Sequence, residues 1–222
     1  MICNEDILIR KATIKDVDFL VDTIVFAEKS GTANFGLANL FEISEEDMCM
    51  YIKKILEEEI DGCEFSISSF IVAEHKGKVV AALAGWIEGQ NEDGLSSSML
   101  KSNLFSYVFP KDLIFKVRSK SEAVKPIQIE RSIGAYQFDY GFTNQCYRGK
   151  GIMNAIIENH IQIAKTQGVR KMQVHIFENN LASINNYLRK GFDVKERYES
   201  HHPLTSIIFP YNVELLLEKE II

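Results

Sequence analysis

The chain has 222 residues, 46% of them hydrophobic and 25% charged, with a formal charge of −6. This composition excludes wholesale disorder, and the length carries a core without metal or disulfide staples. Asp and Glu outnumber Lys and Arg by 31 to 25, which argues against a general nucleic-acid binder, a class that shows a basic excess.

Ile7 to Ala12 reads as a first strand. Thr13 and Asp16 have the spacing of a capping box, and Val17, Leu20, Val21 and Ile24 then recur at helical spacing until Ser30-Gly31. Gly31 to Ile43 reads as a loop. Ser44 and Asp47 open a second helix with Met48, Tyr51, Ile52, Ile55 and Leu56 on its apolar stripe. Ser69–His75 and Lys78–Gly89 are two strands joined at Lys76-Gly77, a tight-turn dipeptide.

From Gln90 to Lys125 the pattern is irregular, with two short helical stretches separated by Pro110. Gln128 to Thr143 is strand-like again, with Phe138, Tyr140 and Phe142 alternating against Gln137, Asp139 and Gly141. A glycine there suggests a bulge or a close approach. Gly151–Gln167 is a helix, Lys171–Phe177 a strand, and Asn180–Lys190 a helix ended by Gly191. Phe192–Glu199 and Val213–Glu218 are closing strands. Without a linker or internal repeat, residues 1–222 read as one α/β domain with an insert at about 90–125.

The four cysteines, Cys3, Cys49, Cys63 and Cys146, are scattered, so neither a structural zinc site nor a disulfide framework is expected. The opening Met-Ile-Cys-Asn-Glu-Asp lacks the basic and apolar regions of a secretory signal. The longest apolar run, about Val79 to Ile87, is far short of the ~20 residues of a membrane helix. The expectation is a cytoplasmic protein with no membrane partner and no metal.

The chemistry concentrates at Tyr147-Arg148-Gly149-Lys150-Gly151-Ile152-Met153, between a strand and a helix. Glycines admit a ligand close to the backbone. The helix start offers free N–H groups and the positive end of its dipole, and Arg148 and Lys150 add charge. A pyrophosphate suits such a cradle. The segment is not a P-loop, which needs Ser or Thr after Gly-Lys. Nor is it a dinucleotide fingerprint, since Asn154 replaces the third glycine.

Arg148-x-x-Gly151 at this junction resembles the acetyl-CoA loop of the GNAT N-acetyltransferase superfamily. Asn180-x-x-Ser183-x-x-x-Tyr187-x-x-x-Gly191-Phe192 resembles that family's next helix, and Ile71–Val80 its second and third strands. Two features depart from the pattern: Met153 stands where Gly or Ala is usual, and 90–125 replaces a short turn. The resemblance implies a mixed, mostly antiparallel twisted sheet flanked by helices, with the helical insertion between the third and fourth strands. The fourth strand would splay from the fifth to admit the cofactor.

It further implies acetyl-CoA as co-substrate and direct attack by an amine of a small molecule or peptide in a ternary complex. Arg148, Gly149, Lys150, Gly151 and Ile152 would bind pyrophosphate, Thr143 would present backbone to the pantetheine arm, and Asn180 would contact the cofactor. Tyr187 would be the general acid. Asp139, the carboxylate in the last stretch of the fourth strand, leads as base, with Glu130 and His175 behind it; Gln137 cannot serve. Cys146 has no nucleophile's setting, and His201-His202 lacks a third metal ligand. Gly31–Ile43 and the insert would shape the acceptor site, and the insert is also a candidate homodimer contact. The rival reading is a non-catalytic acyl-CoA-binding or sensory module on the same fold.

Overall fold

The computed structural model describes residues 7–221; Cys3 and the opening hexapeptide lie outside them. Seven strands form one sheet among these residues: β1 (Ile7–Lys11), β2 (Phe70–His75), β3 (Lys78–Ile87), β4 (Tyr136–Thr143), β5 (Lys171–Phe177), β6 (Asp193–Glu199) and β7 (Val213–Glu220). Their order is β1-β2-β3-β4-β5-β7-β6. Every neighbouring pair is antiparallel except β4 and β5, which run parallel.

One face of the sheet is covered by α1 (Val17–Lys29), α2 (Gly36–Phe41) and α3 (Glu45–Glu57), together with the insert. The capping signals read from sequence operate here. The Thr13 N–H donates to Asp16 Oδ2 at 2.8 Å, and Ser44 Oγ accepts from the Asp47 N–H at 3.0 Å. Ser30, left-handed at φ 44°, ends α1. The stretch 31–43 is not wholly a loop: Gly36-Leu-Ala-Asn-Leu-Phe41 makes the short helix α2. Six residues are too few to display a helical period, and this turn is held by burial of Leu37, Leu40 and Phe41.

The insert folds as α4 (Ser97–Val108), α5 (Lys111–Ser119) and α6 (Ser121–Val124). Its apolar residues join the same core through Leu100, Leu104, Phe109 and Leu113. Phe109 stacks on Phe41 at 4.1 Å and on Tyr51 at 4.4 Å, so the insert is packed onto α2 and α3. Residues 128–135, expected as strand, are irregular. The Ser132 N–H donates to Gln173 Oε1 at 3.0 Å and Gly134 turns the chain at φ 78°, so the ladder starts only at Tyr136.

The other face carries α7 (Ile152–Thr166) and α8 (Leu181–Arg189), over a second core that includes Phe138, Ile156, Ile157, Val174 and Leu217. The short α9 (Thr205–Ile208) lies in the β6–β7 connection and ties to the insert through Thr205 Oγ1, which donates to Ala123 O at 2.8 Å.

Within the second core, His160 is 1% exposed. Its Nε2 donates to Leu83 O at 3.0 Å, which leaves Nδ1 to accept from Tyr136 OH at 2.7 Å. Gly85 makes room for this pair: a Cβ there would lie 2.7 Å from His160 Nδ1. Burial lowers the imidazole pKa to about 4. The unfolded chain takes up a proton near pH 6.5 that the fold refuses, so His160 removes stability as pH falls from 6.5 to 4, by about 3 kcal/mol in all. Glu28 and Glu214, whose pKa values are raised, act with the opposite sign. Denaturant titrations of wild type and His160→Gln at pH 7 and pH 4.5 isolate the histidine. Wild type should lose roughly 2 kcal/mol more than the variant between these pH values.

Candidate active site

The decisive geometry lies along β4. It pairs with β5 at three positions only, Tyr136 with Met172, Gln137 with Gln173 and Phe138 with Val174. Beyond them β4 stays with β3 as far as Thr143, while β5 stays with β7 as far as Phe177. The two strands therefore part at Asp139, and a wedge opens between them.

A bulge occurs at the same point. Leu83 pairs with Gly141 and Ala84 with Asp139, so Tyr140 is the extra residue, at φ 37°. The bulge expected at Gly141 is thus one residue earlier. Gly141 answers to close approach instead, since a Cβ there would lie 3.0 Å from Leu83 Cδ1. The simple alternation of Phe138, Tyr140 and Phe142 is broken as a result. Phe138 packs against His160 and Tyr187 on the α7 side. Asp139 and Tyr140 both turn to the α1 side, where Tyr140 OH donates to Glu28 Oε1 at 2.8 Å. Phe142 follows them and stacks on Phe26 at 4.4 Å.

At the end of β4 the chain enters the glycine-rich loop. Asn144 Oδ1 accepts from the Cys146 N–H at 3.2 Å, and Tyr147 OH is bonded to His75 Nδ1 at 2.9 Å, which anchors the loop to the end of β2. Arg148 Nε donates to Thr143 O at 3.0 Å and Lys150 Nζ to Cys146 O at 2.6 Å. Gly149 and Gly151 hold φ 72° and 79°, a region that disfavours side chains, and a Cβ on either would meet no atom within 4 Å. Gly151 caps α7, whose first turn contains no acidic residue. Ile152 and Met153 begin a 15-residue helix with N–H groups that have no intrahelical acceptor. The result is an open loop with Arg148, Lys150 and the free N–H groups of the helix start, one strand-end away from the wedge.

Across the wedge Asn180 caps α8, its Oδ1 accepting from the Ser183 N–H at 3.3 Å. Two turns further, Tyr187 packs its ring on Phe192 at 5.3 Å and Phe138 at 5.8 Å. Burial raises its pKa, so the phenol keeps its proton at neutral pH. Residues 141–192, from the last three residues of β4 to just beyond this helix, match the sequence profile of the Acetyltransferase (GNAT) family. Over that stretch the chain resembles the GNAT acetyltransferases.

Solved structures share the GNAT fold over nearly the whole chain. An N-acetyltransferase from Staphylococcus aureus Mu50 is 15% identical with a TM-score of 0.66, over 96% of this chain and 100% of that one. A further acetyltransferase is 18% identical with a TM-score of 0.64, over 97% and 100%. An agmatine N-acetyltransferase, solved as a mutant in its apo form, is 14% identical with a TM-score of 0.57, over 97% and 100%. No curated protein matches the chain by sequence.

On the α1 side of the wedge lies a charged cluster that sequence reasoning did not assemble. Arg131, from the irregular segment before β4, donates from Nη2 to Asp139 Oδ2 at 2.6 Å and lies 4.8 Å from the centre of the Trp86 ring. Lys101 of the insert donates to Glu64 Oε1 at 2.6 Å; Glu64 is 1% exposed. Asp139 has both oxygens engaged, Oδ2 by Arg131 and Oδ1 by the Tyr140 N–H at 2.8 Å. Burial raises its pKa and the Arg131 guanidinium works against that rise. Asp139, expected to lead as base, thus stands where the strands part with both of its oxygens hydrogen-bonded. Of its two alternatives, Glu130 is exposed. His175 faces the cluster, with its pKa driven well below 6.5 by burial and by Arg131 and Lys101.

Glu28 and Glu214 complete the cluster. Burial raises Glu28 to about 7, against the Tyr140 bond that lowers it, and raises Glu214 to about 8. Neither was legible beforehand. Glu28 reads as the polar side of a surface helix, and Glu214 as the outward position between Val213 and Leu215. Among the described residues no His, Cys, Asp and Glu grouping could hold a metal ion. No described helix is long and apolar enough to cross a membrane.

Proposed function

We propose that the chain transfers the acetyl group of acetyl-CoA to an amine of a small molecule or peptide, with residues 1–222 working as one cytoplasmic domain. The observation that carries this reading is the coincidence on one strand of two features: β4 leaves β5 at Asp139, and soon after its last residue, Thr143, the glycine loop begins a helix. A cofactor with an anionic end and a long neutral arm fits that pair of features. Arg148, Gly149, Lys150, Gly151 and Ile152 hold the pyrophosphate, mainly through backbone donors. Thr143 and Asn180 flank the arm.

The amine attacks the thioester directly. The C–N bond forms, the C–S bond breaks, and the departing thiolate takes the proton of Tyr187. The second proton lost by the attacking nitrogen restores the phenol. A neutral phenol donates readily to a thiolate whose conjugate acid has a pKa near ~8.5, by analogy with cysteine. The acidic excess on the α1 side supports a cationic acceptor, and a protein of the same fold is named for agmatine.

Turnover decides between transfer and the rival reading of an acyl-CoA sensor. Purified protein should release CoA thiol from acetyl-CoA only in the presence of certain members of a panel of mono- and diamines and basic peptides. Tight acetyl-CoA binding with no amine-dependent release across the panel would establish the sensor instead.

A further inference from the structure

We propose that Glu214 of β7 is the proton acceptor that turns the incoming ammonium into the attacking amine; this rests on the acetyl-transfer reading above. Every other carboxylate of the cluster is committed. Asp139 holds Arg131 and the Tyr140 N–H, Glu64 holds Lys101, and Glu28 accepts from Tyr140 OH. Glu214, half-buried, takes part in no hydrogen bond or ion pair of its side chain among the described residues. Desolvation without a partner is costly, so a position of this kind is explained by a partner that comes and goes.

Its place on the sheet suits the task. Glu214 pairs with Phe177 at the last rung of β5, past the point where β4 has left. Val213, Leu215 and Leu217 point into the α7 core, which turns Glu214 to the opposite side, the side of Asp139 and Tyr140. It therefore stands on the β7 bank of the wedge, with Glu28 and Tyr140 on the other. The charges acting on it are Asp139 of β4, Glu28 of α1, Lys101 of α4 and Arg131. His175 of β5 and Tyr198 of β6 are its titratable neighbours on the adjoining strands. Lys101 and Arg131 are balanced by Glu64 and Asp139, so Glu28 and Glu214 are the uncompensated pair. An ammonium entering between them favours the ionised form of both carboxyls and is held by it.

The step balances without a further reactant. The ammonium gives one proton to the Glu214 carboxylate and becomes a free amine, and the carboxylic acid later releases that proton to solvent. Burial brings the carboxyl to about 8, near the range in which a general base is both ionised and basic at physiological pH.

The test compares pH profiles of kcat/KM for wild type, Glu214→Gln and Glu214→Asp with an amine that wild type acetylates, alongside calorimetric acetyl-CoA affinity. Wild type should climb with pH to a plateau above about 8. Glu214→Gln should bind acetyl-CoA as wild type does and lose ~10²-fold or more in kcat/KM at pH 7. Its rate should then follow the free-amine fraction upward towards the amine pKa near ~10.4, so that the deficit closes at high pH. Glu214→Asp should keep the plateau at reduced height, and it carries the test if the glutamine variant fails to fold. An unchanged rate, or a loss with the profile shape of wild type, would overturn the assignment of Glu214 alone. Absence of turnover in wild type would overturn the acetyl-transfer reading and this assignment with it.

Discussion

Replacing Gly151 with Asp should weaken acetyl-CoA binding by at least ~10²-fold while the fold survives. The two parts of that expectation come from different observations. A Cβ on Gly151 meets nothing within 4 Å, so the side chain enters open space in front of the helix start. The left-handed backbone at φ 79° costs an L-residue about 1 kcal/mol, which a domain of this size tolerates. The carboxylate, however, stands where the pyrophosphate is proposed to lie. Two like charges about 5 Å apart at an effective dielectric of about 20 repel by roughly 3 kcal/mol, already a factor above ~10² in affinity. Gly151→Asn separates charge from shape, because Asn fills the same space and accepts the left-handed region readily. Calorimetry should show the Asn variant much closer to wild type than the Asp variant. Equal affinities for all three proteins would remove the cradle from this loop.

Tyr187→Phe should lower kcat by ~10²-fold or more and leave acetyl-CoA affinity nearly unchanged. The ring is 7% exposed and packed on Phe138 and Phe192, and Phe preserves those contacts. No side-chain hydrogen bond among the described residues uses the hydroxyl, so its removal should change the melting temperature little. A loss confined to kcat would then report a proton donated only in the transition state. Pre-steady-state mixing is needed to read the chemical step rather than CoA release. A chemical step within about twofold of wild type would return Tyr187 to a packing role.

Much of this architecture was legible because it depends on short-range physics. Thr13 with Asp16 and Ser44 with Asp47 marked helix starts. Lys76-Gly77 marked a hairpin, and both residues adopt positive φ. The glycine loop before Ile152 stood out by its composition and by the family it resembles, and both Gly149 and Gly151 adopt the positive φ that favours residues without a Cβ. The Asn180, Tyr187 and Gly191 spacing likewise survives as a cap, a buried ring and a left-handed helix stop.

The proton-handling side of the site was not legible, and the reason is distance along the chain. Glu28, Glu64, Lys101, Arg131, Asp139 and Glu214 come from α1, a loop, the insert, the segment before β4, β4 itself and β7. No spacing rule relates them. Their neutralisation and their raised or lowered pKa values arise only when the sheet brings them under α1 and the insert. The bulge at Tyr140 is the clearest case. One extra residue in β4 turns Asp139 and Tyr140 to the same face and undoes the alternation that the sequence displays. What the sequence determined by itself was most of the strands and long helices and the backbone of the glycine loop, because caps, turns and glycine conformations are local. What the tertiary structure decided was which carboxylates are tied up and which remain free, because burial and charge pairing exist only between parts of the chain that folding has brought together.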